Sequence, residues 1–371
     1  MVNLFALCPT APQWRVEWES FDRQLAFIRA LRGCPQNPTY HAEGDVWTHT
    51  RLVCESMAQD EAWRALDEES RQDLFAAALL HDSAKPHCTK VQPSGRVTSR
   101  GHARRGALLA RRLLWSQGVP AERRERICRL VRHHMAPLYL RDSEQPRRQV
   151  LRLSHCLRCD HLATLGRADA LGRICDDADD LWERHQAFEA VCRSEGCLDR
   201  PYEFPSSHAR FLFFRQLLED PQSRQPEPET EVVLLSGLPG SGRDRWLESS
   251  AGSKPVIDLD ALRRRQGIGP LENQGAVIAL ARDRARSWLS RGRSLIWRDM
   301  NLSRQLREHL IGLFAGFEAR VRIVHLEAER EEVEQRLASD PLYGEVDLDF
   351  LLDRWEVPDA TEAHEVELHA P

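Results

Sequence analysis

The sequence predicts two domains of different fold class: an all-α N-terminal domain followed by an α/β domain with a parallel sheet. Three observations carry this. Apolar residues recur at helical spacing through residues 1–217, where strand patterns are scarce. A polar, proline-rich stretch, LEDPQSRQPEPETE at 218–231, then breaks the pattern and reads as a linker. Over residues 232–371, short apolar strand runs alternate with helical segments, as in a parallel sheet with crossover helices.

The helical reading rests on FDRQLAFIRALR, RQDLFAAALLHD, HARRGALLARRLLW and RERICRLVRHH, and on the longer run VLRLSHCLRCDHLATLGRADALG. Pro35 and Pro38 break the first helices, and Pro137 stops the one carrying His133. The strand reading rests on EVVLLS, KPVIDLD, RSLIWRD and ARVRIVHLE, with GAVIALARDRARSWLSRG and SRQLREHLIGLF as helices between them. A chain of 371 residues with 42% hydrophobic residues can bury two cores. It has no apolar run of 18 residues, so no membrane is expected as a partner. Its first residues lack a basic segment and a full apolar run, and its ten cysteines are scattered. A cytoplasmic protein with reduced thiols is the expectation.

Charge is uneven. The net charge is −5, yet residues 100–152 hold fourteen arginines against Glu122, Glu125, Asp142 and Glu144. That block suggests a polyanionic partner, and its alternative is a solvated helical face. Only Lys85, Lys90 and Lys254 are lysines, so a lysine at a mechanistically useful place carries weight.

One such place follows His81–Asp82. An aspartate deep in the apolar run AAALLHD is costly to bury without a cation. His49 lies upstream in GDVWTHT, Lys85 one turn after the pair, His102 in SRGHARRGA, His133–His134 in VRHHM, and Asp169 in RADALGR. Each falls on a helix or helix end, so a bundle can bring them together. Mixed imidazole and carboxylate donors suit two divalent ions of Mn, Co, Ni, Fe or Zn. Asp82 can bridge them. His49, His81 and Asp169 complete one ion, and His102 with His133, His134 or both holds the other. Ions so held activate water and offset charge on phosphoryl oxygens. Lys85 then pairs with the phosphate. The cluster HCLRCDH lacks a second pair of ligands at zinc spacing, so Cys156 and Cys159 are expected in the core.

EVVLLSGLPGSGRDRW places Gly237, Gly240, Ser241 and Gly242 between a strand and a helix, the context of a phosphate-binding loop. Arg243 stands where lysine is expected. Asp244 stands where a Ser or Thr hydroxyl meets Mg²⁺. An Asp there either contacts Mg²⁺ directly or repels the triphosphate of a bound NTP such as ATP.

These residues resemble the HD phosphohydrolase superfamily. GDVWTHT, HDSAKP, SRGHARRGA, LVRHH and RADALGR are similar to one branch of it, the bacterial HD–polynucleotide kinase fusions that heal nucleic-acid ends. The resemblance implies an all-α HD-type domain acting as a 2′,3′-phosphoesterase on RNA or DNA ends. It also implies an α/β P-loop kinase-like domain, AAA family ATPase-like, that uses ATP and Mg²⁺ on 5′-OH ends. In VIDLDALR it implies that Asp260 takes the 5′-OH proton and Arg263 holds the neighbouring phosphate. LENQGAVI, NLSRQLREHLI and the terminal LLDRWEVPDATEAHEVEL also look family-like. The sequence departs from the family at Arg243 and Asp244. It departs again at Arg298-Asp299-Met300-Asn301, where Asn-Ala-Thr-Asn is usual, and in a lid reduced to Arg330 and Arg336. Two further readings stay open: a phosphohydrolase acting on nucleotides with the P-loop as a sensor, and a nucleic-acid-binding protein with an unused metal site. The residues name neither the native metal nor a companion ligase.

Overall fold

A computed structural model describes residues 3–19, 21 and 25–370 of the chain. They form two compact units, Met1–Tyr202 and Glu203–Pro371. Helices of eight residues or more are numbered here. The first unit holds α1 (Val46–Gln59), α2 (Glu68–Leu80), α3 (His102–Ser116), α4 (Ala121–His133), α5 (Pro146–Ser154), α6 (Cys159–Leu171) and α7 (Ala178–Ser194). In the segment FDRQLAFIRALR, residues 22–24 lie outside the described residues, and a helix covers Ala26–Leu31.

Local chemistry sets where the helices begin. Asp45 caps α1, accepting from Thr48 N at 2.8 Å, and Asp67 caps α2 through Ser70 N at 2.8 Å. Asp67 is followed by Glu68 and Glu69 in the first turn, where acids favour the helix dipole. The apolar face of each helix turns inward: α2 buries Leu74 through Leu80, and α6 buries Leu162, Ala163 and Leu165. α1 packs on α2 and α6, and α4 packs on α2 and α3.

Three differences from the sequence reading appear here. The run VLRLSHCLRCDHLATLGRADALG is two helices, α5 and α6, because the chain turns at His155 and Asp160 N bonds to Leu198 O at 2.8 Å. A short antiparallel hairpin, β1 (Lys90–Val91) with β2 (Val97–Thr98), stands in the helical unit. Helix α7, polar on much of its surface, had no periodic run to announce it.

The second unit begins at Glu203, before the expected linker at 218–231. Its first helix, α8 (Ser207–Phe214), places Phe211 in the core of the sheet domain, which is why it belongs there. The sheet has five parallel strands in the order β4 (Val256–Asp258), β5 (Leu295–Arg298), β3 (Glu231–Ser236), β6 (Arg320–Leu326) and β7 (Glu365–His369). Helices α9 (Arg243–Ser250), α10 (Leu259–Gln266), α11 (Gly275–Leu289), α12 (Arg304–Ala315) and α13 (Arg330–Ser339) complete it. Alternation along β3 divides the core. Val232 and Leu234 join a cluster with Phe211, Trp297 and Phe314, whereas Val233 and Leu235 pack with Trp246 and Ile296 on the other face. The expected fold class is therefore present in both units, and β7 is an added edge strand.

Arg307 pins the end of the sheet. It is fully buried, grips both oxygens of Glu362 at 2.7 and 2.9 Å, and donates to the carbonyls of Asn301, Leu302 and Glu356.

Candidate functional sites

The metal-type residues of the first unit converge at helix ends. His49 stands in the first turn of α1, His81 caps the C-terminus of α2, and Asp82 follows it. His102 opens α3, His134 caps α4, and Asp169 lies in the last turn of α6. Their donor atoms form two trios, His49–His81–Asp169 and Asp82–His102–His134. Nε2 of His49 lies 3.4 Å from Nε2 of His81 and 3.1 Å from Oδ1 of Asp169. Nε2 of His102 lies 3.2 Å from Nε2 of His134. Asp82 stands between the trios, with Oδ2 3.1 Å from His81 Nε2 and Oδ1 3.3 Å from His102 Nε2. His134, not His133, is the member of the pair that joins. α4 turns the two side chains in different directions, and only His134 is buried at the centre.

The protonation pattern fits a cation. Nδ1 of His81, His102 and His134 meets the carbonyls of Ala78, Ser99 and Val131 at 2.7–2.8 Å. Nδ1 of His49 meets Gly172 O at 3.3 Å and Glu43 Oε1 at 2.9 Å. A carbonyl cannot donate, so Nδ1 carries a hydrogen in each ring and Nε2 faces the centre. Burial pushes His134 down to about 3 and lowers His102, which keeps both rings neutral. The Nε2 lone pairs of the neutral His102 and His134 face one another at 3.2 Å in a buried centre and need a positive charge between them, whereas at His81 the carboxylates of Asp82 and Asp169 outweigh burial and raise the ring. Oδ1 of Asp82 is buried and accepts no hydrogen bond among the described residues. The donor set would suit divalent cations: His49, His81 and Asp169 could hold one, and Asp82, His102 and His134 another.

Supporting residues that the sequence reading missed lie around this centre. Glu43 accepts from His49 Nδ1 and from Ile174 N, and contacts His41 Nδ1 at 2.8 Å. Arg173 bonds both oxygens of Asp169 from one turn further along, at 3.2 and 2.7 Å. The available signals were the HAE triplet before GDVWTHT and the four-residue spacing in RADALGR. Burial alone would raise the Asp82 carboxyl, but His81, Lys85 and His102 hold it well below the usual range.

The centre opens into a cavity of about 700 Å³ lined by Lys85, Arg96, Arg100, Arg104, Arg132 and Arg184, among others. The +10 block is only partly a surface for polyanions. Arg111 and Arg124 are buried against Glu125, Arg123 and Arg126 bond Asp73, and Arg147 bonds Glu195. The sequence count missed this because Asp73 and Glu195 lie outside the block.

In the second unit, the loop after β3 turns at glycines with left-handed backbone: Gly237 (φ 147°), Gly240 (φ 79°) and Gly242 (φ 98°). A Cβ on Gly237 would stand 2.4 Å from Leu326 O. Past the end of β5, Asn301 donates to Leu235 O of β3 at 2.6 Å, and Gly237 N of the loop donates to Met300 O at 2.9 Å. Arg243 and Ser241 are buried at its end. The loop lines a cavity of about 920 Å³ with Asp244, Asp260, Arg264, Arg298, Arg336 and Tyr343. Arg336 donates to Gly240 O at 2.8 Å.

Asp260 and Arg263 do meet, at 2.6 Å, but neither is open. Asp260 also accepts from Arg298 at 2.8 Å and from Tyr343 at 2.6 Å. Arg263 also bonds Asp299 at 2.8 and 3.2 Å. Burial raises the Asp260 carboxyl, and Arg243 with its neighbours outweighs that to hold it low. Arg298 bonds Asp244 at 3.0 and 2.6 Å. The suggested Mg²⁺ role of Asp244 thus meets an arginine already in place.

Two family models match the chain: the HD domain over residues 45–181 and the AAA domain over residues 232–356. No curated protein matches the sequence. Among solved structures, the chain is similar to a candidate kinase from Chloroflexus aurantiacus. They share 16% identity over 39% of this chain and 87% of that one, at a TM-score of 0.33. No helix among the described residues is long and apolar enough to cross a membrane. Residues 45–181 thus match the HD domain and residues 232–356 the AAA domain.

Proposed function

We propose that the protein is a nucleic-acid end-healing enzyme whose HD domain is a two-metal 2′,3′-phosphoesterase. One observation carries this: two trios of histidine and aspartate donors meet at Asp82, which belongs to one trio and lies 3.1 Å from His81 of the other, beside an arginine-lined cavity. Ions bound there supply Lewis acidity and lower the pKa of a water. The chain's residues do the rest. Nδ1 hydrogen bonds fix the four imidazoles so that Nε2 faces the centre. Arg173 and Glu43 orient Asp169 and His49. Lys85 offers an ammonium beside Asp82 for a phosphate oxygen. Arg100, Arg104 and Arg132 give the cavity mouth a charge suited to a polynucleotide end. Hydrolysis adds water across one P–O bond of a cyclic phosphate, or frees a 2′-phosphate.

The AAA domain is read as a nucleotide-binding module with little 5′-OH phosphoryl transfer, because Asp260 is held by arginines and Tyr343. The test is hydrolysis of RNA ending in 2′,3′-cyclic phosphate, with Mn, Co, Ni or Zn, against the matching mononucleotide. Preference for the oligonucleotide supports end healing. Preference for the mononucleotide favours the second reading, a nucleotide phosphohydrolase.

A further inference from the structure

The end of the P-loop carries two departures from the usual motif, and in space they lie beside a third. Asp244 takes the position from which a Ser or Thr hydroxyl would meet Mg²⁺. Its Oδ1 is gripped by Nε and Nη2 of Arg298 at 3.0 and 2.6 Å. The same guanidinium reaches Asp258 and Asp260 at 2.8 Å each. Asp299 is bonded through both oxygens to Arg263. So the four aspartates at this end of the sheet, Asp244, Asp258, Asp260 and Asp299, already accept from arginine. Mg²⁺ demands near-ideal octahedral oxygen geometry, and both oxygens of Asp260 and Asp299 and Oδ1 of Asp244 and Asp258 are already bonded to arginine. The residues do not fit a Mg²⁺ ion.

They do fit an anion. Arg243 is buried, and its Nη1 has no hydrogen-bond partner among the described residues; neither has Oγ of the buried Ser241. Both line the 920 Å³ cavity, with Arg298, Arg264 and Arg336 on its walls. Gly240 and Gly242 precede the N-terminus of α9, whose first amides have no side-chain cap.

We propose that this pocket binds the phosphate chain of a nucleoside triphosphate without Mg²⁺, Arg243 supplying an unpartnered guanidinium nitrogen. Arg298, on the wall of the same cavity, is held by Asp244, Asp258 and Asp260. Free triphosphate, carrying more negative charge than its Mg²⁺ complex, is the preferred form. The inference rests on reading residues 232–356 as a nucleotide-binding domain, not on the phosphoesterase.

The test is calorimetric titration of the full-length protein with ATP, in EDTA and in excess Mg²⁺. ATP should bind in EDTA, with Mg²⁺ leaving the affinity unchanged or weaker. Asp244→Ser, at an exposed position, should tighten binding in EDTA by about tenfold, the scale of one charge-assisted contact released to the ligand. Arg298→Lys should weaken it while the melting temperature, measured alongside, reports whether the fold is intact. Binding that Mg²⁺ tightens by about tenfold or more would overturn this inference and leave the nucleotide-binding reading standing. Absence of ATP binding in both buffers would overturn both.

Discussion

The ammonium of Lys85 lies 2.7 Å from Oδ2 of Asp82 and 2.6 Å from Oε1 of Gln36. Lys85 is thus tied to the carboxylate that stands between the two trios, and Gln36 aims it. Lys85→Met should lower phosphoesterase turnover by about 10²-fold, the scale of one charge that stabilises a transition state, while bound metal is retained. Gln36→Ala should give a smaller loss in the same parameter. Elemental analysis beside steady-state kinetics checks both, and loss of metal in Lys85→Met would assign Lys85 to the centre's assembly instead.

The adjacent histidines separate cleanly. His134 belongs to the trio with Asp82 and His102, and His133 does not. His134→Ala should lose about one of two metal equivalents and nearly all activity, since removing a ligand opens the coordination sphere. His133→Ala should keep both equivalents. Equal losses from the two substitutions would mean that the centre uses both rings.

The basic cavity makes a salt-dependent prediction. Arg100, Arg104 and Arg132 line the opening, whereas Arg111 is buried against Glu125. Replacing the first three with Ala should raise KM for an oligonucleotide and flatten its dependence on salt, as phosphate contacts are removed. A small model phosphodiester should be little affected. Arg111→Ala should instead lower the melting temperature.

That buried cluster also sets an acid limit. Burial alone would raise the Glu125 carboxyl, but Arg111 and Arg124 hold it down at about 2 against an ordinary 4.5. A folded value below the unfolded one means that the stabilisation is fully present above pH 4.5 and is lost as pH falls towards 2. Glu125→Gln should cost about 3–5 kcal/mol at neutral pH by leaving buried guanidiniums unpaired. It should also flatten the stability–pH curve over that acid interval, measured by denaturant unfolding in EDTA.

The sequence made the metal residues readable because histidine and aspartate are rare in apolar helices, so His49, His81–Asp82, His102 and Asp169 stood out by type and order. Their supports did not stand out. Glu43, Gln36 and Arg173 are ordinary polar residues whose roles exist only once the helix ends meet. The P-loop was readable from its glycines, but Arg243, Asp244 and Arg298 looked like independent departures. Only folding puts Arg298 of β5 beside Asp244 of α9, 54 residues apart. The two compact units divide at Tyr202, ahead of the polar stretch, because α8, apolar and helical like the first unit, sends Phe211 into the sheet core. A fragment ending at Tyr202 should accordingly be soluble and active, and one ending at residue 217 should aggregate through that helix. Light scattering of the two fragments decides this.

The central claim is that Asp82 joins two ions in one hydrolytic centre. The direct measurement is metal content per chain of the purified protein and of Asp82→Ala, determined with hydrolysis of RNA carrying a 2′,3′-cyclic phosphate end. About two divalent ions are expected in the wild-type protein, the stoichiometry of a shared-carboxylate site, with loss of both metal and activity together in the variant. Asp82→Ala protein that kept its metal and its activity would contradict it.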